Sequence, residues 1–202
     1  MRRIGALIFP GFELLDLFGP LEMFGLLKDD FDLQLIAETS DPIASNQQVR
    51  ATPDITIKVT DRFDVLFIPG GMGTRREVNN TALLDWIRTT SDSAEYVLSV
   101  CTGSLLLASA GVLDGRRATT NKAAYTKIAD QYPNVDWVKQ ARWVEDGKFI
   151  TSSGVSAGLD MSLGAIERMH NRETAEKVAM WSEYDWHSNK DWDPFAKVHG
   201  LV

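Results

Sequence analysis

The chain has 202 residues, 44% hydrophobic and 24% charged, the make-up of an ordinary globular protein, and without a low-complexity tract or linker-like stretch it is expected to form one domain over residues 1–202. Its 21 basic and 28 acidic side chains give a formal charge of −7, which argues against nucleic acid and anionic membranes as partners and favours a small-molecule substrate. One cysteine excludes an intramolecular disulfide and a cysteine-based zinc site, and no stretch approaches the ~18 apolar residues of a membrane span.

The opening apolar run is interrupted by Pro10, Glu13 and Asp16, so no export signal is read and a cytoplasmic location is expected. Residues 4–9 (IGALIF) form a short apolar strand that ends at Pro10 and Gly11. Apolar positions then recur at helical spacing over residues 14–27. Because Pro suits a first turn, the regular helix is predicted to start near Pro20, leaving Asp16 in the connection. Residues 31–37 read as a second strand and residues 55–59, polar-alternating, as a peripheral one.

Residues 64–69 (DVLFIP) form another buried strand leading into Gly70, Gly71, Met72 and Gly73. A helix is predicted over 81–90, a strand over 95–100 (EYVLSV), and a helix over 102–110 stopped by Gly111. Cys101 occupies the strand-to-helix junction. Further helices are read at 122–131, 156–170 and 172–184, and a hairpin of strands 141–145 and 148–151 around Asp146 and Gly147. Strands alternating with helices imply a mostly parallel, doubly wound α/β sheet covered on both faces, with ligands bound beyond the carboxyl ends of the strands.

A free cysteine is often a small buried hydrophobe. At a strand-to-helix turn followed by the small residues of TGS, the thiol also gains access to a helix N-terminus, where its pKa can fall and make it a nucleophile. The Thr102 N–H and a donor from Gly70, Gly71 or Met72 would then form an oxyanion hole, although GGMG also reads as a plain tight turn. Asp16 is either an N-cap or loop residue, or a buried acid whose raised pKa keeps it neutral and able to donate to sulfur or substrate. His170, His187 and His199 are read as solvated and lack a metal-ligand spacing, and no metal or organic cofactor is expected. Trp181, Trp186 and Trp192 in the tail read as packing or dimer-contact residues. Trp143, Ser153 and their neighbours either line the pocket or belong to an ordinary hairpin and helix cap.

The blocks LIFPGFELLDLFGPLEMF, DVLFIPGGMG, VLSVCTGSLLLASAGVLDGRRATTN and ITSSGVSAGLDM resemble the ThiJ/PfpI family, from about residue 4 to about residue 170, and most of all its isonitrile hydratase branch. The SVCTGS block is also similar to the amidase-like domain of AraC-type regulators, but the single helix and short tail after residue 170 do not suggest an appended DNA-binding segment. The resemblance implies a flavodoxin-like sheet with a cysteine nucleophile elbow and a homodimer. It implies Cys101 as nucleophile, Asp16 as the acid touching it, and the amides of Gly71 and Thr102 as donors near the sulfur. Relatives in this branch commonly carry histidine where this chain has Asn121. Asparagine cannot accept a thiol proton, which lowers proteolysis and glutamine hydrolysis. The activity implied is hydration of an isonitrile to an N-substituted formamide through a Cys101 thioimidate. The alternatives are oxidant sensing through Cys101 and a glyoxalase- or deglycase-like activity.

Overall fold

The structure, a computed structural model, describes residues 1–58 and 62–202. In chain order the elements are β1 (Arg2–Leu7), α1 (Leu14–Gly25), β2 (Phe31–Ala37), β3 (Ile43–Ala44), β4 (Arg50–Ala51), β5 (Ile55–Thr56), β6 (Val65–Ile68), α2 (Thr74–Glu77), α3 (Thr81–Ser93) and β7 (Tyr96–Ser99). They continue with α4 (Gly103–Ser109), β8 (Arg117–Ala118), α5 (Tyr125–Gln131), β9 (Asp136–Trp137), β10 (Trp143–Asp146), β11 (Phe149–Ser152), α6 (Ala157–Met169), α7 (Arg172–Trp181) and α8 (Pro194–Val198).

Among the described residues, seven strands form one sheet in the order β10-β11-β7-β6-β1-β2-β5. All neighbours are parallel except the β10–β11 hairpin at one edge. The chain leaves β1 toward β2 on one side and later returns to pair β6 on the other, so the strand order reverses beside β1. Crevices for ligands open at such reversals, outside the carboxyl ends of the strands. The interior strand β6 (VLFI) is a continuous apolar run and wholly buried, as are the last four residues of β1. Strand β11 (FITS) is wholly buried too, with Thr151 accepting from the Thr119 N–H and Ser152 donating to the Ser99 carbonyl. Helix α1 packs on α6 and α6 on α7, while α4 packs on α2 and α3. The result is the flavodoxin-like α/β architecture expected from the alternating pattern.

Several local expectations are corrected. Helix α1 begins at Leu14, with Pro20 inside it, so Asp16 lies in a helical first turn and not in a connection. Pro20 costs the helix the bond to the Asp16 carbonyl. Burial of Leu17, Leu21 and Phe24 and close packing of Pro20 near Gly158 hold the helix together regardless. The strand expected over 55–59 is the two-residue edge strand β5, peripheral as expected; Val59 lies outside the described residues. The hairpin pairs Asp146 with Phe149, so its turn is Gly147–Lys148, one residue later than predicted, with Gly147 at φ 57°. The last long helix stops at Trp181. The short elements β3, β4, β8, β9, α2 and α8 leave no periodic signal to find, being two to five residues long.

Candidate functional site

Strand β7 ends at Ser99 and α4 begins at Gly103, and the chain turns between them through Cys101 with φ 56°. A left-handed conformation at a residue with a Cβ costs on the order of 1–2 kcal/mol, so surrounding bonds must hold it. They do: the Cys101 N–H donates to the Ser153 carbonyl at 3.1 Å, and the Gly103 N–H closes the turn on the Val100 carbonyl at 2.8 Å. The Cys101 carbonyl accepts from Ser104 Oγ at 3.0 Å and Thr120 Oγ1 at 3.1 Å. The expected elbow is therefore present.

Asp16 reaches the elbow from α1 and is fully buried. Its Oδ2 accepts the Gly70 N–H at 3.0 Å, whereas Oδ1 has no conventional hydrogen-bond partner. Burial, with the nearby Glu13 adding repulsion, pushes the Asp16 pKa up to about 8 against the opposing bonds from Gly70 and Cys101. A carboxyl in that setting is neutral at pH 7. With Oδ2 serving as acceptor, Oδ1 is the oxygen left to carry the proton.

The thiol itself departs from expectation. Cys101 is only 6% exposed, and burial, followed by the facing Asp16 carboxyl, pushes its pKa up, against the pull of the Thr102 N–H and the Asn121 amide. The lowered pKa anticipated from the helix start is not found, because desolvation outweighs the donors. The resting pair is a neutral acid beside a neutral thiol.

Asn121, standing at the histidine position, does reach the sulfur. Its Oδ1 accepts from the Ala124 N–H at 3.2 Å, which turns Nδ2 toward Cys101 as a donor. The oxyanion donors are divided. The Thr102 N–H faces the sulfur, but the Gly71 N–H is taken by Thr102 Oγ1 at 3.0 Å, and Gly70 is spent on Asp16. Gly71 adopts φ 130°, and a Cβ there would lie 2.4 Å from the Gly11 carbonyl, so its role in the resting structure is to let two loops close on each other. Met72 is 56% exposed and takes no part in the arrangement. Trp143 is buried beneath α6, against Gly164, and does not line the elbow.

A cavity of about 290 Å³ lies against the elbow, with Asn121 and Ser153 in its wall, together with Leu15, Val155, Phe195 and His199. A second, of about 270 Å³, touches the elbow through Thr102 alone of these residues and lies between α2, α4 and α5. Asn121 and Ser153, which bond the Cys101 sulfur and amide, border the first, and Thr102 borders the second, while Cys101 itself lines neither. Phe195 and His199 were missed in the sequence because they belong to α8, far along the chain. No local pattern announces that a five-residue helix returns to the site. His170, expected to be solvated, is half-buried and meets the Phe31 ring edge-on at 5.6 Å. Trp186 is a packing residue, its Nε1 donating to the Asp160 carbonyl at 3.1 Å and its ring lying under Arg172. Among the described residues no cluster of His, Cys, Asp or Glu is placed to hold a metal ion, and no helix is long and apolar enough to cross a membrane.

The model of the DJ-1/PfpI family matches residues 2–168. The chain is similar to isonitrile hydratase of Pseudomonas putida, 35% identical over 90% of this chain and 78% of that one. It is also similar to the HTH-type transcriptional regulator CdhR of Pseudomonas aeruginosa, 28% identical over 86% of this chain and 52% of the regulator. Among solved structures, a ThiJ/PfpI family protein from Pseudomonas syringae superimposes with a TM-score of 0.85 at 33% identity, covering 91% of this chain and 75% of that one. Drosophila melanogaster DJ-1beta matches with a TM-score of 0.80 at 20% identity, over 92% of this chain and 99% of that one, which is a likeness of fold.

Proposed function

The chain belongs to the DJ-1/PfpI family, and from that membership and the geometry of its elbow we propose that it is a cysteine-dependent hydratase that adds water to an isonitrile to give an N-substituted formamide. The observation that carries this reading is the pairing of Cys101 with a buried Asp16 whose pKa is raised to about 8. Similarity to the Pseudomonas putida isonitrile hydratase supports the choice of substrate class.

An isonitrile carbon is unusual in accepting both a proton and a nucleophile on the same atom, and the pair supplies both. Asp16 gives its proton to the terminal carbon as Cys101 sulfur bonds to that carbon, and the carboxylate so formed takes the thiol proton. The product is a thioimidate, R–N=CH–S–Cys101, and Asp16 is again neutral. Water then adds its oxygen to the same carbon and a proton to nitrogen. The C–S bond breaks as the C=O bond forms, and the hydroxyl proton returns to sulfur through Asp16. Charge on sulfur is steadied by the Thr102 N–H and Asn121 Nδ2. No preformed thiolate is required, so the raised thiol pKa is compatible with the reaction, and no base is needed at position 121.

A buried thiol pushed upward has little of the thiolate that peroxide attacks, which makes oxidant sensing the weaker reading. A glyoxalase- or deglycase-like reaction would lean on a His or Glu bonded to the thiol, whereas the groups that bond the thiol here are the Thr102 N–H, Asn121 and Asp16. The assembly proposed is a homodimer, in keeping with Phe18, Met180 and Trp181, which are left exposed; light scattering tests it. The activity is tested by incubating the protein with a small alkyl isonitrile and following formamide absorbance. Turnover by the wild type and its loss in Cys101→Ala is expected. No wild-type turnover, or equal turnover by the variant, rejects the reading.

A further inference from the structure

On a chain of formal charge −7, one cavity reverses the sign. The cavity of about 270 Å³ between α2, α4 and α5 is bordered by Arg75 and Lys127 and, among the described residues, by no Asp or Glu. Neither base is answered by a carboxylate. The Arg75 head bonds the thioether of Met72, a weak acceptor, and Lys127 is exposed and makes no hydrogen bond or ion pair among the described residues.

Two buried hydroxyls border the same cavity, and one is under-used. Thr74 is fully buried and Thr102 nearly so. Thr74 Oγ1 donates to the Gly71 carbonyl at 2.8 Å, and Thr102 Oγ1 accepts the Gly71 N–H at 3.0 Å. That leaves the Thr102 proton to the Gly71 carbonyl at 3.3 Å or to Thr74 Oγ1 at 3.2 Å, both longer than an ordinary O–H···O bond. The wall also includes Val78, Leu105 and Ile128, against which the apolar body of a ligand can lie.

A second cleft rich in bases, of about 520 Å³, is lined by Arg88, Arg116 and Lys148, but their charges are already engaged. Lys148 Nζ donates to the carbonyls of Ser91, Asp92 and Ala94. Arg88 bonds Asp85 and the Ala110 carbonyl, and Arg116 lies 4.0 Å from Asp146 and over the Phe149 ring. Asp92 also lines that cleft.

We propose that the cavity between α2, α4 and α5 is a binding site for a small organic carboxylate, whose charge is taken by Arg75, Lys127 and the Thr102 hydroxyl and whose apolar body lies on Val78, Leu105 and Ile128. The site is independent of the hydratase reading, because it is read by binding and not by turnover. Isotope-labelled wild-type protein is titrated with benzoate, benzamide, acetate and inorganic phosphate and followed by its amide NMR signals. The benzoate titration is repeated on Arg75→Gln, Lys127→Gln and, as a control from the other cleft, Arg116→Gln.

Benzoate is expected to move the signals of residues 74–79 and 124–131. Benzamide, which keeps the body and loses the charge, and acetate, which keeps the charge and loses the body, should each bind roughly 10-fold more weakly or worse, the scale of one lost charged or apolar contact. Arg75→Gln and Lys127→Gln should each raise the benzoate Kd by roughly 10-fold, with their other signals in place, while Arg116→Gln leaves it unchanged. Equal binding of benzamide, or of acetate or phosphate as tight as benzoate, overturns the ligand class. No binding by the wild type, signals moving instead around Arg88, Arg116 and Lys148, or unchanged affinity in Arg75→Gln and Lys127→Gln overturns the site.

Discussion

Asn121 can present its amide nitrogen to the Cys101 sulfur only because Gly154 has no side chain: a Cβ at 154 would lie 2.1 Å from Asn121 Nδ2. The glycine on the loop after β11 thus sets the position of a donor carried by the loop after β8. Gly154→Ala should displace the Asn121 amide and slow alkylation of Cys101 by iodoacetamide several-fold, and Asn121→Ala should do the same. Combining the two should add little, since both remove one bond. Additive losses in alkylation rate would show that Gly154 acts on the thiol by another route.

Asp16 makes stability depend on pH. Its folded pKa, about 8, lies above the ordinary carboxyl value, so between about 4 and 8 the native state holds a proton that the unfolded chain has released. Unfolding is therefore increasingly favoured as pH rises through that window and levels off above it. Asp16→Asn removes the titration, and in urea melts its stability relative to the wild type should improve steadily from pH 4 to pH 8. A constant difference between the two proteins would mean that Asp16 is ionised in the folded state.

The same group sets the pH profile of catalysis. Asp16 must be protonated to deliver its proton to carbon, so kcat/KM for an alkyl isonitrile should fall as pH rises through about 8. In Asp16→Asn activity should drop by roughly 10²–10⁴-fold, the range for loss of a general acid. A wild-type rate that keeps rising past pH 9 would point instead to attack by a free thiolate.

The left-handed conformation at Cys101 is strain held by the elbow. Glycine adopts it freely, so Cys101→Gly should be more stable than Cys101→Ala by about 1 kcal/mol in chemical denaturation. Alanine coming out equal or better would show that the turn relaxes when the thiol is removed.

Away from the elbow, Arg142 and Asp160 form a buried ion pair at 2.5 Å. Asp160 Oδ1 in turn accepts from Tyr184 Oη at 3.0 Å and the His187 N–H at 2.9 Å, tying the tail to α6. Arg142→Met leaves that carboxylate uncompensated and should cost about 3–5 kcal/mol. The double variant Arg142→Met with Asp160→Leu should recover part of the ionic cost while still freeing the tail to limited proteolysis. Proteolytic resistance in both would show that the Trp186 contacts alone secure it.

From residue order alone, the architecture and the elbow were legible. Residues 4–9 and 65–68 are short apolar runs bounded by turn residues, as a strand covered on both faces is, and Cys101 stands where the mostly apolar run of β7 meets a helix start. What tertiary structure decided were quantities summed over residues distant in the chain. Asp16 entered a helix across Pro20 because packing on α6 outweighed one lost backbone bond. The thiol pKa moved up because desolvation by the whole fold exceeded the donors that its neighbours in sequence supply. Phe195 and His199 reached the cavity because α8 is capped by Asp193 and buried at Ala196, contacts that no periodicity encodes. Local pattern reports which surface of an element is buried; which groups are buried together, and what that does to their protons, depends on the packed whole.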